Sequence, residues 1–555
     1  MAPSNQGRAL DRLDYGLAAL AALAALAVYV RTLAPDLLYG DSGEFQTLAY
    51  TLGITHATGY PVYLLLARVL GFLPLRTFAW RVSLFSALGA GVTVGGVYLW
   101  ARQLTRHRTG PLLGSLALVV SYTFWTQAIL AEVYTPALAV IVIAALGLRH
   151  WYEDPAYRWA SLLGATLIVG AGLGIHASVA LFIPPAAAFV VWRLADPGLS
   201  AHDRQRGLLT ALGGGLLGLA LFVTTFRMLD AHDPPSSFIN VTMIPSRSVW
   251  GLTRAELAQP WTRFWITVTG LQWQTAMFAE GVPGALSALG AYVRRLTSHE
   301  FSGIALLLAL FGFFSMVRGP RSAPIRRAFG TLTLGAYLFC VAAIVNYDPP
   351  DWYVFFLPAH MLTAVAVGVG AGRLLEAAAA VPAADLRLVL KTVPTRVSDA
   401  TLRSGVLAFI AAILALGVVM PFALSRGQAL RQGRTHFSEE HYIYPVDHPE
   451  EPRAEATLRL SLLPDGAMVI MNWRPLYATY YVAHVEGLRP NIVIMEATPH
   501  GSQGQVAASL LDIIEEALLA DQPVYSDEIY PPLQDHFRVL PAPGNLYRLT
   551  LLNTD

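Results

Sequence analysis

The densest group of reactive side chains is Gly40-Asp41-Ser42-Gly43-Glu44-Phe45, continued by Thr55-His56-Ala57-Thr58-Gly59-Tyr60-Pro61. Asp41 and Glu44 are three residues apart, so a helix starting here would carry both carboxylates near one face. A carboxylate held in this way can act as general base toward a hydroxyl group. The same spacing fits a helix-capping box, in which Glu44 reaches back to the cap. It could also supply oxygen ligands to Mg²⁺ or Mn²⁺. His56 could hydrogen-bond an acceptor or a phosphate, or serve as a structural partner. Tyr60 stands before a proline and is held extended there, which favours a turn over a ligand contact.

More candidates lie further along the chain. Glu132 sits at the edge of an apolar run, where a carboxylate is costly and tends to mark function. Asp348 and Asp351 flank two prolines in a short loop, and Tyr353 follows. Arg227 ends another apolar run and could meet a phosphate, or could pair with Asp230 or Asp233. Asp36 reads as a solvated loop residue. Among weaker candidates are His176 and Gln272, and Trp273 reads as packing.

The elements that must position these groups follow from composition. The chain has 555 residues, of which 55% are hydrophobic and only 14% charged, against roughly 25% charged in an average soluble domain. Mean hydropathy is +0.48. A soluble protein of this length cannot hide so much apolar side chain. The expectation is a polytopic α-helical membrane protein. Runs long enough to span fall near 15–34, 80–101, 110–128, 131–148, 159–176, 177–193, 208–227, 301–317, 328–346, 353–374 and 403–424, about eleven spans. Basic residues cluster on alternate loops, as at Arg102, Arg106 and Arg108, at Arg193, Arg204 and Arg206, and at Arg373, Arg387 and Lys391. The positive-inside rule then places the N-terminus in the cytoplasm. Loops 35–79, 228–300 and 347–352, with everything after about 425, fall outside.

From about residue 425 the composition changes. Residues 467–472 and 491–496 read as buried strands, with helices at 475–487 and 505–520. Strands at 523–526, 536–540 and 546–551 complete a soluble α/β domain of about 130 residues. The expected organisation is a membrane domain over 1–424 and an extracytoplasmic α/β domain over 425–555. No glycine-rich phosphate loop follows the first strand, which leaves a nucleotide site without support. A net charge of +1 offers no nucleic-acid surface. Cys340 is the only cysteine, so a disulfide framework and a cysteine metal site are excluded.

A carboxylate just outside the first span faces the interface where lipid-linked substrates present their headgroups. If the donor is a lipid-phosphate sugar, the phosphate is already a good leaving group, with a second pKa of about 6. It needs positive charge rather than a general acid. One base and nearby cations then suffice, unlike a glycosidase with its two carboxylates.

The stretch Gly40 to Pro61 resembles the first-loop signature of GT-C membrane glycosyltransferases, and most of all a protein O-mannosyltransferase-like family. That family comprises mostly bacterial proteins together with the vertebrate transmembrane O-mannosyltransferase that acts on plexin-type receptor domains. The resemblance extends through Ala131-Glu132-Val133-Tyr134, Arg263-Phe264-Trp265 to Phe278, and Tyr347-Asp348-Pro349-Pro350-Asp351-Trp352-Tyr353. It continues in the tail through Asn472-Trp473 and Val485-Glu486-Gly487-Leu488-Arg489-Pro490. The family often carries Pro-Pro where this chain has Ala57-Thr58.

What the resemblance implies is a GT-C fold, a bacterial plasma-membrane location and a polyprenyl-phosphate sugar donor, mannose by analogy. It implies that the first-loop acidic residue, Asp41, is catalytic, with Glu44 in support. His56, Tyr60, Glu132, Arg227, Asp348, Asp351 and Tyr353 are then candidates for substrate binding. Inverting transfer to an extracytoplasmic hydroxyl, such as protein Ser/Thr, would follow, with the soluble tail binding or presenting the acceptor. A lipid or glycan acceptor fits the same motifs. A transporter or flippase for a lipid-linked substrate is the alternative of a different class. It is disfavoured because the charges cluster on one face and no internal repeat is visible.

Overall fold

The structure is a computed structural model. It describes residues 10–278, 281–318, 324–391, 394, 396–431, 450–500, 502 and 504–552. Each of the eleven apolar runs is helical. Among the described residues eight helices are long and apolar enough to cross a membrane, from Arg12–Arg31 to Asp399–Val418. The remaining three runs form the shorter helices Thr109–Val120, Trp159–Gly172 and Gly303–Val317. The third of these follows Gly281–Glu300 at a bend of 120°, and counting that pair as one span gives nine.

The helix Thr109–Val120 stops early for a local reason. Ser121 leaves helical geometry (φ −60°, ψ 137°). Its hydroxyl and that of Thr123 bond instead to the buried carboxylate of Glu300, at 2.6 and 2.5 Å. Leucines such as Leu20, Leu216, Leu217 and Leu310 remain exposed on the outside of the bundle, as lipid-facing side chains would. Inside, small residues bring the helices together. A Cβ on Gly312 would lie 2.0 Å from the Ala366 carbonyl oxygen, and one on Gly370 would lie 2.0 Å from that of Leu308.

The bundle has two unlike ends. At one, Arg102 and Arg108 each bond Asp14 at 2.8 Å, and Arg373 bonds Glu376 at 2.9 Å. At the other, the long loops pack together. Loop 35–79 is not irregular: it folds into helices Gly40–Thr51 and Pro61–Leu70, the second with its proline in the first turn. Ile54 N–H bonds Ser237 Oγ at 3.2 Å, which ties this loop to loop 228–300.

The C-terminal α/β unit sits on this second end. Its strands are β1 (Met468–Met471), β2 (Val493–Glu496), β3 (Val524–Ser526), β4 (Phe537–Ala542) and β5 (Leu546–Leu551). They lie in the order β2-β1-β3-β5-β4. The first three are parallel, with Met468 beside Val493 and Val524, and β5 joins antiparallel. The helix Trp473–Tyr480 leaves β1 and lies along Gly40–Thr51, where Thr47 Oγ1 donates to the Tyr477 carbonyl at 2.9 Å. Phe45, Leu48, Leu476, Tyr477 and Ala478 share one core. Asp36 is not a free loop carboxylate. Arg453 holds it bidentately at 2.7 and 2.8 Å, and Thr77 Oγ1 donates to it at 2.8 Å. The expected boundary at 424/425 falls within the helix Met420–Arg431, and residues 432–449 of the expected tail domain lie outside the described residues.

The close approach at Gly370 makes a prediction. Gly370→Leu forces the helices Gly303–Val317 and Leu357–Ala379 apart. It is expected to destabilise the fold by roughly 1–3 kcal/mol, as overpacked cores do. The melting temperature of the protein in detergent measures this, with Gly335→Leu as control, since a Cβ at Gly335 meets nothing within 4 Å.

Candidate functional site

Asp41 lies in the first turn of Gly40–Thr51, where the exposed N–H groups of a helix start favour negative charge. No side chain caps this helix; its N-cap is Tyr39. The capping-box expectation for Asp41 and Glu44 therefore fails, and Glu44 has another occupation. Its carboxylate is fully buried and accepts the His56 backbone N–H at 2.8 Å. It also pairs with His56 Nδ1. Gly43 between the two acids has to be small, because a Cβ there would lie 2.5 Å from the Leu38 carbonyl oxygen.

Burial alone would discharge the His56 ring. The carboxylates of Glu44 and Asp41 outweigh that and hold its pKa at about 9. The Glu44 carboxyl is itself pushed up by burial, against the pull of His56. The ring packs edge-on against Tyr60 and Trp473.

Asp41, His56, Thr58 and Tyr60 open onto a cavity of about 390 Å³. Tyr134, His176, Ser178, Trp273, Tyr347 and Asp351 line it from other elements. Ala177, Ala180, Leu181, Val268, Ala343, Ile344 and Phe355 give it an apolar wall. Among the described residues none that lines it is arginine or lysine, so His56 is the cation it offers. Asp351 accepts from Tyr134 OH at 3.4 Å, and burial with the nearby Asp41 charge raises its carboxyl to about 6. Tyr60 OH is spent on the Ala57 carbonyl at 2.6 Å, and its ring stacks on His176.

The other expected residues distribute as follows. Glu132 stands beside the cavity rather than on its surface. Ser42 Oγ donates to it at 3.3 Å, and burial raises its carboxyl well above the usual range, with Asp41 and Asp351 adding to the effect. Arg227 lies outside the cavity: it and Arg263 share the buried Asp230, and its guanidinium lies over Trp261. Asp348 is exposed at a neighbouring cavity of about 210 Å³. Tyr353 is buried under Arg295, whose guanidinium lies 3.8 Å from the ring centre. No three His, Cys, Asp or Glu side chains converge among the described residues, and of the Asp-x-x-Glu pair Glu44 is engaged by His56.

One important contact was not anticipated. Trp473 Nε1 donates to Asp41 Oδ1 at 2.8 Å, from the C-terminal unit. Tyr134, Thr58 and Tyr347 also line the cavity without having been singled out, although each stands inside a motif quoted above.

The fold has a counterpart among solved membrane proteins. The crystal structure of ArnT from Cupriavidus metallidurans bound to undecaprenyl phosphate superposes with a TM-score of 0.50, at 15% identity, over 96% of this chain and 98% of that one. In sequence the chain is similar to protein O-mannosyl-transferases over part of its length. Residues 41–197 match the family model of the protein O-mannosyl-transferase TMEM260 N-terminal domain. The protein O-mannosyl-transferase TMEM260 of Mus musculus is 30% identical over 229 residues, 40% of this chain and 30% of that protein. The Dictyostelium discoideum protein O-mannosyl-transferase tmem260 is 22% identical over 373 residues, 62% of this chain and 43% of that protein. The chain thus spans less than half the length of these two relatives.

The His56–Glu44 pair predicts a pH-dependent stability. A histidine whose folded pKa exceeds its unfolded value of about 6.5 stabilises fully below that pH. The contribution disappears as pH rises through about 9. The melting temperature is expected to decline across that window, and His56→Gln is expected to lower it at pH 6 and flatten the decline.

Proposed function

We propose that this chain is a membrane glycosyltransferase that moves a sugar from a polyprenyl-phosphate carrier to a hydroxyl group. The observation that carries the reading is the cavity that Asp41, His56 and Asp351 share with an apolar wall. A lipid-linked sugar asks for that combination of a polar end and a greasy side. The relatives' names add protein O-mannosylation, and the ArnT structure, with its bound undecaprenyl phosphate, adds a lipid-phosphate donor by analogy. Mannose and protein Ser/Thr are the sugar and acceptor this favours. The arginine pattern favours the extracytoplasmic face for the cavity, and the family resemblance a bacterial plasma membrane.

In this reading Asp41 takes the proton of the acceptor hydroxyl as its oxygen bonds to the anomeric carbon. The bond from that carbon to the phosphate oxygen breaks, and the phosphate leaves with the electron pair. Attack from the face opposite the phosphate inverts the centre. The charge that grows on the phosphate meets the His56 imidazolium, which Glu44 keeps protonated. Sequence reasoning gave that part to Arg227, but Arg227 is already committed to Asp230. Asp351 and Tyr134 are placed to hold sugar hydroxyls, and the apolar wall to take the first isoprene units.

The test uses purified protein in lipid with radiolabelled polyprenyl-phosphate mannose and a membrane extract as acceptor. Asp41→Asn is expected to lower transfer by about 10²–10⁴-fold, the usual contribution of a general base. Equal transfer by both proteins would sink the role of Asp41. Label in protease-sensitive material supports a protein acceptor, whereas label in lipid or glycan transfers the reading to those acceptors. Wild-type turnover is expected to fall as pH rises through about 9, where His56 loses its proton.

A further inference from the structure

The three parallel strands of the C-terminal unit all point their carboxyl ends at the membrane domain. Asn472-Trp473 follow β1, β2 ends in Glu496, and Asp527 follows β3. Functional groups of parallel sheets collect at such ends, where strands stop and helices begin. Here the ends interlock. Asp527 accepts the Asn472 backbone N–H at 2.8 Å, and the Asn472 side chain caps the next helix by accepting the Arg474 N–H at 3.1 Å. Glu496 accepts from Thr242 Oγ1 of loop 228–300 at 2.6 Å. At the rim, His500 stacks on Trp273, which lines the cavity, with ring centres 3.9 Å apart.

The product of this interlock is the aim of one indole. Trp473 sits at the first position of its helix, packed against Phe238, His56 and Tyr477. Its N–H meets Asp41 Oδ1 at 2.8 Å. Among the described residues it is the one protein group that hydrogen-bonds this carboxylate. A carboxylate without such a tether rotates about its last bond and meets water from any side. With one oxygen held, the second is left for the acceptor hydroxyl. A hydrogen bond to a charged group is among the stronger ones in proteins.

We infer that Trp473 is a positioning residue for the transfer reaction, so that the C-terminal unit completes the active site. This rests on the reading of Asp41 as the base. The indole keeps its proton throughout: the acceptor O–H proton goes to Asp41 Oδ2 as the new glycosidic bond forms and the phosphate leaves. The role differs from that of an acceptor-binding module, because Trp473 acts through Asp41 and need not touch the acceptor.

The test is steady-state kinetics on the full chain in lipid, with polyprenyl-phosphate mannose as donor. Trp473→Phe keeps the ring packing and removes the N–H. The expected result is a kcat about ten- to a hundred-fold lower, a donor KM within twofold of wild type and an unchanged melting temperature. A wild-type kcat in Trp473→Phe overturns the inference while leaving Asp41 untouched. A lower melting temperature together with a raised donor KM and an unchanged kcat also overturns it, since packing alone would do that. Should the Phe variant not fold, Asn472→Ala loosens the helix start and leaves the indole in place. A several-fold lower kcat at constant KM is then expected, and no change in kcat counts against the inference. Asp41→Asn is run in parallel. Full turnover there, or no transfer by wild type from any lipid-linked hexose, removes the catalytic reading itself, which separates that failure from the failure of Trp473.

Discussion

A carboxylate with no surface in water must find its compensation inside the protein, and Glu44 finds it in His56. The ring nitrogen and the backbone N–H of the same residue both turn to it. Removing either partner would leave a buried charge unpaired, a far larger penalty than the net value of the pair. Loop 35–79 is therefore folded back on itself between residues 44 and 56, and what lies between has little freedom. Asp41, one turn before Glu44, and Thr58 and Tyr60, just after His56, come to the same cavity as a result. The charge on the imidazole is a by-product of this closure.

The two ends of the bundle spend their charges differently. At the arginine-rich end, ion pairs such as Arg102–Asp14 and Arg373–Glu376 tie helix to helix. At the loop-rich end, pairs such as Arg453–Asp36 and Arg254–Glu516 tie the C-terminal unit to the loops of the membrane domain. Within the cavity Asp41 and Asp351 face the single imidazolium of His56, and protons thin the negative charge: burial holds the neighbouring Glu132 carboxyl well above the usual range and raises that of Asp351 to about 6.

Much of this was legible in the chain. Apolar run length finds helices because a membrane leaves the backbone no other partner, and all eleven runs are helical. The strands of the tail were readable for a similar reason, being short apolar runs between polar breaks. Asp41, His56, Tyr60 and Asp351 do share a cavity. The errors are equally physical. Of the two partners open to Arg227, a phosphate or a nearby aspartate, the structure supplies the second: Asp230 is three residues on, and i,i+3 neighbours meet on a helix. Loop 35–79 hid two helices because one is short and the other mixes polar with apolar residues. The capping box failed because spacing cannot reveal a competing partner twelve residues away. Trp473 could not be found from local pattern at all, since its partner lies 432 positions earlier.

That separation has a temporal side. A ribosome delivers the chain from its N-terminus, and domains fold broadly in that order. The membrane helices and the Glu44–His56 closure can form while the tail is still unmade. The tether on Asp41 cannot, for it waits on β1 and the helix that leaves it. During synthesis the lining of the cavity can be complete, yet the hydrogen bond on Asp41 arrives only when the tail has folded. Assembly order thus leaves Asp41 free to turn in its cavity until the last part of the chain is in place.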